Sequence, residues 1–450
     1  MRGAVAAGNR HTAEAGAWAL AHGGNAVDAV VAAALAAFVA EGPLTGPSGG
    51  GFLLLRDAGG EPTLLDCFFA VPSRRAGEMD EVLIDFGDAS TQIFHVGLPS
   101  VAVPGLVAGL WEAHDEHGRI AWADLFPPAL ELAAAGVEMT GPQRFLLEIL
   151  VPILERTEEG RAIYGSRVRA ETQAMVTGLE RLREMGPTAV AEFQPDLASD
   201  IEAYRVIERR PTEAGFREMR VATCPAPSLG GGVVARGLGA LDGWRAGGDP
   251  PLAVALVAAL RSGYGGSAGP GLTGTTHVSV IDGEGNAAAL SSTLGSGSGE
   301  FSGGFQLNNM LGELDVIGSD ERAAGERLPS MMAPTLVLDD GEPRLVVGSA
   351  GSVRLSGAIL QVIHHVVAGG ESVQSAIDHP RLHVEDDVVQ IEGGWPHETA
   401  EELQETGQEV NRWAGRNLYF GGVSAVERRA DGGLGAAGDP RRGGHGIVVP

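Results

Sequence analysis

Thr273-Gly274-Thr275-Thr276-His277-Val278-Ser279-Val280-Ile281-Asp282 carries the most information in this sequence. It joins a loop to a strand. Residues 265–274 are mostly Gly, Ser, Pro and Thr, the composition of a loop. From Thr276 a strand rich in β-branched residues follows. A Gly-Thr bond at such a junction has what self-cleavage requires. The Thr hydroxyl must reach the carbonyl before it, and Gly permits the backbone distortion this needs. After the cut, Thr275 carries a free α-amine with a pKa near ~8. That amine can act as base for the hydroxyl beside it at neutral pH. The plainer alternative is a strand that merely starts with two β-branched residues.

Downstream, Asn286 to Leu294 returns across Gly283-Glu284-Gly285 to make a hairpin with Thr276 to Asp282. Pro334 to Leu338 and Arg344 to Val347 flank Asp339-Asp340-Gly341 in the same way. A helix over Val353 to Val367 follows, then short strands ending at His445 to Val449. Upstream, His11 to His22 has helical spacing and stops at Gly23-Gly24, and Asn25 is an N-cap for Val27 to Phe38. Pro43 to Gly51 reads as a loop, and Phe52 to Leu55 with Thr63 to Asp66 as a hairpin. Further helices are expected over Trp122 to Ala135, Glu171 to Glu184 and Pro251 to Ser262. A helix-rich first half thus precedes a strand-rich second half. The fold class is α+β, satisfied by two stacked sheets with helices on their outer faces.

The chain has 450 residues, 44% hydrophobic and 20% charged, which suits a globular protein with a large core. Acidic residues outnumber basic ones 58 to 32, a formal charge of −26. A surface this negative repels phosphate backbones and anionic membranes, so neither nucleic acid nor membrane is an expected partner. There is no Lys, which suggests a GC-rich coding genome such as an actinomycete's. Cys67 and Cys224 are too few for a disulfide framework or a four-Cys zinc site, and read as small buried apolar groups. No ligand spacing points to a metal, and no cofactor is expected. The start, Met1-Arg2-Gly3-Ala4, contains no run of signal-peptide length. The longest apolar stretch, Ala26 to Ala40, contains Asp28 and is too short to span a bilayer. A cytoplasmic location is expected.

Several motifs, in order, resemble the γ-glutamyltransferase family. They are Gly23-Gly24-Asn25-Ala26-Val27-Asp28-Ala29, Ser48-Gly49-Gly50-Gly51-Phe52, Val103-Pro104-Gly105-Leu106-Val107-Ala108-Gly109 and Pro225-Ala226-Pro227-Ser228-Leu229-Gly230-Gly231. The Thr275 stretch comes next, then Leu307-Asn308-Asn309, Pro329-Ser330-Met331-Met332-Ala333-Pro334-Thr335, Gly348-Ser349-Ala350-Gly351-Ser352 and Gly438-Asp439-Pro440-Arg441. Each is weak alone; together and in family order they are specific. The resemblance implies an N-terminal nucleophile hydrolase with a four-layer αββα sandwich. It implies a large chain of residues 1–274 and a small chain of residues 275–450 that stay together as one domain, and a pairing of two such heterodimers. Its substrate would be a small molecule.

The resemblance also assigns roles. Cleavage falls between Gly274 and Thr275, and Thr275 is the nucleophile. Thr293 is placed against the nucleophile's hydroxyl. Gly351 and Ser352 match the pair whose backbone N–H groups form the oxyanion hole, a device that typically contributes roughly 10²–10³ in rate. Ser330 and Met331 fall near the substrate carboxylate, and Asn309 beside them is equally a turn residue. Arg354 and His277 are expected to be structural, since the amine already fills the role of base.

Three positions depart from the family pattern, and all concern the substrate. Phe68 stands where the family has the Arg that clamps the glutamyl carboxylate, and Phe cannot make that bidentate contact. Gly295 stands where an Asn helps bind the glutamyl group. The acid near the α-amine survives only if Glu313 supplies it. The segment 315–327 is short for the family's lid, which implies a more open site. The expected activity is therefore amide hydrolysis or acyl transfer through Thr275 on something other than ordinary glutathione. A second reading keeps the nucleophile and cleaves a carbon–carbon bond beside an oxalyl-type carbonyl, as in actinomycete alkylproline pathways. A third is a catalytically silent homologue that binds a ligand or partner.

Overall fold

The computed structural model describes residues 2–74, 77–85, 91–265, 274–318, 322–385 and 387–450. Residues 266–273 of the loop before Thr275, Thr273 among them, lie outside the described residues.

Two antiparallel sheets form the centre. Their strands, in chain order, are β1 (Gly3–Ala7), β2 (Gly50–Arg56), β3 (Thr63–Cys67), β4 (Ile207–Arg209), β5 (Thr212–Phe216), β6 (Met219–Thr223), β7 (Gly274–Asp282), β8 (Ala287–Gly295), β9 (Thr335–Asp339), β10 (Glu342–Ala350), β11 (Gly422–Arg428), β12 (Leu434–Gly438) and β13 (His445–Val449). The first sheet runs β13-β1-β7-β8-β2-β3-β4 and the second β12-β11-β10-β9-β6-β5. Strands from before and after Thr275 interleave in the first sheet and adjoin, β9 beside β6, in the second. The first half is therefore less purely helical than its sequence suggests. The short β1, whose five residues are all buried, pairs with both β7 and β13 and had no reading of its own from sequence.

Helix α1 (Arg10–Ala21) packs on α2 (Ala26–Ala40), and α2 lies on β7 and β8. Every residue of α2 is buried, because α3 (Pro127–Ala135) covers its other side. Its start is fixed by Asn25, whose side-chain oxygen accepts from the N–H groups of Val27 and Asp28, while Asp28 accepts from the N–H of Asn25 at 2.9 Å. The Asn25–Asp28 motif is thus a capping box. Against the second sheet lie α4 (Gly230–Leu241), with α5 (Leu252–Tyr264) packed on it, and α6 (Leu355–Ile363). The helix expected from Trp122 is a 3₁₀ turn over Trp122–Leu125 and then α3, because Pro127 lacks an N–H and is suited to a helix start. The helix expected from Val353 likewise splits into a 3₁₀ turn, α6 and a π turn over His364–Ala368. The segment 171–184 starts as a 3₁₀ turn, Thr172–Ala174, before its helix begins at Met175.

β7 and β8 are buried on both faces, which is why their polar residues need partners within the protein. Val278 and Val280 join the core beneath α2, whereas Ile281, Ala287 and Ala289 join the core shared with the second sheet. On that inner face Ser279 Oγ donates to the carbonyl of Ser424 on β11 at 3.0 Å. His277 lies beside it, and Gly348 on β10 leaves room for the ring: a Cβ there would collide with it. No helix among the described residues is long and apolar enough to cross a membrane.

Candidate active site

Thr275 enters at the first turn of β7. Gly274 pairs with Gly295 and Thr276 with Ser292, so two residues of β8, Thr293 and Leu294, stand opposite Thr275 and the bulge lies on β8. Its side chain is buried, 2% exposed. The Thr293 hydroxyl makes a short hydrogen bond to the carbonyl oxygen of Gly274 and accepts from the N–H of Gly295 at 2.8 Å. Thr293 thus holds the carbonyl that precedes Thr275. A donor on that oxygen draws charge from the carbonyl carbon.

A cleft of about 20 Å³ opens beside Thr275. Its hydroxyl groups come from Thr275, Thr293, Ser330 and Ser352, and its apolar wall from Phe68, Met310, Met331, Met332 and Leu355. Six of the residues singled out from sequence thus meet in one place although they span Phe68 to Ser352. Met310, Met332 and Leu355 were missed. They look like core residues in sequence, and only their place beside Thr275 separates them from the rest. Among the described residues no charged side chain lines the cleft.

Phe68 serves both the cleft and the core. It is 1% exposed, stacks on Phe52 at 5.1 Å between centroids and meets Phe69 edge-on at 4.9 Å. The nearby cations do not substitute for a clamp: Arg209 and Arg327 both pair with buried Asp66, at 2.8 and 3.4 Å. Ser330 and Met331 sit on a loop braced from α4. Ser228 Oγ donates to the carbonyl of Met332 at 2.5 Å, and a Cβ on Gly230 would collide with the carbonyl of Met331.

Gly351 and Ser352 make the turn from β10 into α6. Gly351 has φ +131 and Ser352 φ +54, a left-handed conformation that strains a side-chain-bearing residue. Ser352 Oγ is buried with no hydrogen-bond partner among the described residues. An orphaned buried hydroxyl in a small cleft is a ready contact for a bound polar atom.

Gly295, Asn309 and Glu313 form a separate group beside the cleft. Gly295 has φ +70, and a Cβ there would run into Asn309 Oδ1 and Glu313 Oε1. The Asn309 amide oxygen accepts from the N–H groups of Ser296 and Gly297, at 2.8 and 3.0 Å. Glu313 accepts from the N–H of Ser296 at 2.6 Å. Asn309 and Glu313 therefore shape the turn after Thr293. Thr293, Ser330 and Ser352 are all buried, like Thr275.

His277 hydrogen-bonds Ser291 at 2.8 Å and Ser279 at 2.9 Å, and burial lowers its pKa to about 3. A neutral, doubly bonded imidazole is a spacer between sheets. Arg354 is buried under Tyr419, 4.4 Å from the ring, with Glu385 at 3.7 Å. Cys67 and Cys224 are both buried, and burial pushes the Cys67 thiol up to about 12. One constellation that sequence spacing did not reveal is His365, Glu371 and His379, whose possible ligand atoms lie within 4.8 Å of one another. Its geometry is that of two imidazoles hydrogen-bonded to one carboxylate, at 2.9 and 2.8 Å. The two rings stack in parallel at 3.9 Å, so their in-plane lone pairs run side by side instead of converging.

This arrangement agrees with what the chain is similar to. The gamma-glutamyltranspeptidase family model matches residues 12–178 and 259–449. A glutathione hydrolase proenzyme from Pseudomonas aeruginosa is 29% identical, over 99% of this chain and 94% of its own length. The acylase ACY 1 proenzyme from Pseudomonas sp. (strain SE83) is 26% identical over 96% of this chain and 91% of its own. In fold, a crystal structure of cephalosporin acylase from Bacillus halodurans superposes with a TM-score of 0.84, covering 99% of this chain and 95% of that one at 20% identity. With the family's model matched on both sides of a Gly-Thr junction where Thr293 grips the carbonyl, the chain is a member of the gamma-glutamyltranspeptidase family of hydrolases and acyltransferases.

Proposed function

We propose that the chain cuts itself between Gly274 and Thr275 and then uses Thr275 to take up an acyl group that lacks a charged end. The observation that carries this reading is the cleft beside Thr275, in which hydroxyl groups face an apolar wall and, among the described residues, no cation is present. A glutamyl carboxylate placed there would lose its water without gaining a partner, which is costly. In the acyl-transfer step, Thr275 Oγ bonds to the substrate carbonyl carbon, its proton passes to the α-amine, and the amine returns that proton to the leaving group. Backbone N–H groups at Gly351 and Ser352 are assigned to the oxyanion. Water or an acceptor amine then releases the acyl group.

In this reading the two sheets and their covering helices are the four layers, helix–sheet–sheet–helix, of an N-terminal nucleophile hydrolase. The interleaved strands keep residues 1–274 and 275–450 together after the cut. The two fragments would run at about 28 and 18 kDa by their share of the 46.3 kDa chain. Two such bands, with Thr at the N-terminus of the smaller, are the expected result on a denaturing gel. A wild-type chain that stays whole after long incubation overturns the reading in favour of a silent homologue. For the acyl group, p-nitroanilides of γ-glutamate and of butyrate should be compared, and hydrolysis of the butyryl compound is expected to dominate. A chain that is cut yet prefers the γ-glutamyl compound defeats the uncharged-acyl half of the proposal.

A further inference from the structure

The buried acid Glu41 has no part in the chemistry above, yet it stands next to the nucleophile. It follows the last residue of α2, where the helix dipole presents its negative end and a carboxylate is least favoured. It is 4% exposed. Oε1 accepts from the Thr12 hydroxyl and Oε2 from the Thr276 hydroxyl, each at 2.6 Å. Gly8 keeps this space clear, because a Cβ there would press on both Glu41 Oε2 and Thr276 Oγ1. Glu41, Thr275 and Thr276 share the wall of a second cavity of about 30 Å³, separate from the acyl cleft and large enough for a water molecule. Burial raises the Glu41 carboxyl above its usual range, and the two hydroxyls and the Arg442 guanidinium only partly offset this. Burying an acid whose oxygens are taken up by hydroxyls leaves its charge poorly compensated.

Self-cleavage changes that balance. Thr275 Oγ bonds to the Gly274 carbonyl carbon, the Gly274–Thr275 C–N bond breaks, and the hydroxyl proton goes to the nitrogen. Water then splits the ester, leaving a carboxylate on Gly274 and a hydroxyl and amine on Thr275. At neutral pH that amine takes up a proton, and a positive charge appears in the cavity that Glu41 lines. We propose that Glu41 is a positioning residue, the buried counter-charge that holds the α-amine released on Thr275. The inference rests on the self-cleavage reading above.

Other charged groups reach the same cavity. Asp439, Arg441 and Arg442 come from the turn between β12 and β13, and His277 from β7. Asp439 is engaged by Arg381 at 2.6 Å and by Arg441 at 3.2 Å, and His277 is neutral. Burial lowers the Arg442 guanidinium to about 10, still charged at neutral pH, and it opposes an ammonium. Glu41 is therefore the acid left to balance the amine.

The test uses the amine itself. The chain has no Lys, so cyanate carbamylates only the two chain starts, which fall on different fragments after cleavage. The rate of cyanate addition to the small fragment, followed by mass against pH, reports the pKa of the Thr275 amine. A nearby carboxylate favours the ammonium, so Glu41→Gln is expected to lower that pKa by about one unit and to speed carbamylation about tenfold well below it. A cleaved Glu41→Gln chain with an unshifted profile overturns the proposal and assigns the balance elsewhere, for instance to the new Gly274 carboxylate. If Glu41→Gln is not cleaved, Glu41→Asp decides. Cleavage restored by Asp, at unchanged melting temperature, shows that the charge is needed as the amine forms and supports the proposal. Failure of both shows that only the side chain's shape matters and overturns it. A wild-type chain that is never cleaved defeats the self-cleavage reading instead.

Discussion

Thr275 separates two cavities of opposite character. On one side, Phe68, Met310, Met331, Met332 and Leu355 wall a cleft that no charged side chain among the described residues lines. On the other, Glu41, Asp439, Arg441 and Arg442 line a cavity of similar size. The contrast indicates a division of labour. In the proposed function, one side selects an acyl group by shape and apolar contact, and the other settles the charge that cleavage would create. A carboxylate clamp on the acyl side would blur that division, and here Phe68 occupies its place.

The largest effect expected falls on the residue between the two cavities. Thr275→Ala should remain a single 46.3 kDa band on a denaturing gel and lose all activity, because it lacks both the attacking oxygen and the cut that frees the amine. Next comes the acyl side. Thr293→Ala removes the donor on the Gly274 carbonyl and should slow self-cleavage by roughly 10²–10³, seen in a time course of band conversion. A cleavage rate within twofold of wild type would show that this hydrogen bond is incidental. Phe68→Ala should cost about 3–5 kcal/mol in denaturant unfolding, since it empties a fully packed site between Phe52 and Phe69. A much smaller loss would mean that Phe68 serves the cleft and not the core.

The smallest effect tests the charged side through His277, which also lines that cavity. Burial holds its pKa at about 3, against 6.5 for a free imidazole. The unfolded chain takes up a proton below about 6.5 that the folded chain refuses. The stability from this residue is thus fully present above 6.5 and is lost as pH falls from 6.5 toward 3. At pH ~5 the loss amounts to about 2 kcal/mol, from ~1.4 kcal/mol per unit. Urea unfolding of wild type at pH ~7.5 and ~5, set against His277→Gln, should show this extra acid sensitivity in the wild type alone. Equal sensitivity in both would mean that the imidazole titrates in the fold and that the cavity is wetter than its burial implies.

Much of the local structure was legible in the sequence. The β7–β8 and β9–β10 hairpins, the Asn25 cap and the terminal strand β13 follow from turn residues and spacing, because those signals act within a few residues. Helices were legible as helices but not in their breaks: Pro127 starts a helix where a continuous one was expected, and α6 ends in a π turn. Of the site, Thr275, Thr293, Ser330 and Ser352 were found by motif, and the structure brings them to one cleft. Of the candidates for substrate contact, Asn309 Oδ1 and Glu313 Oε1 accept from the backbone after Gly295, an arrangement that spacing in sequence does not show.

What the sequence determined by itself is the chemistry available: a Gly-Thr junction at the edge of a strand, a family's motifs in order, and a phenylalanine where a cation would bind a carboxylate. These are properties of residue type and short spacing, and one strand of text contains them. The tertiary structure alone decided which groups meet. Met310, Met332 and Leu355 become a wall of the cleft, and Glu41 becomes the neighbour of a threonine 234 positions away, only because α2 lies across β7. Burial then gives these side chains their character, since an acid or imidazole shifts its proton affinity by losing water, and that loss is a property of the packed interior.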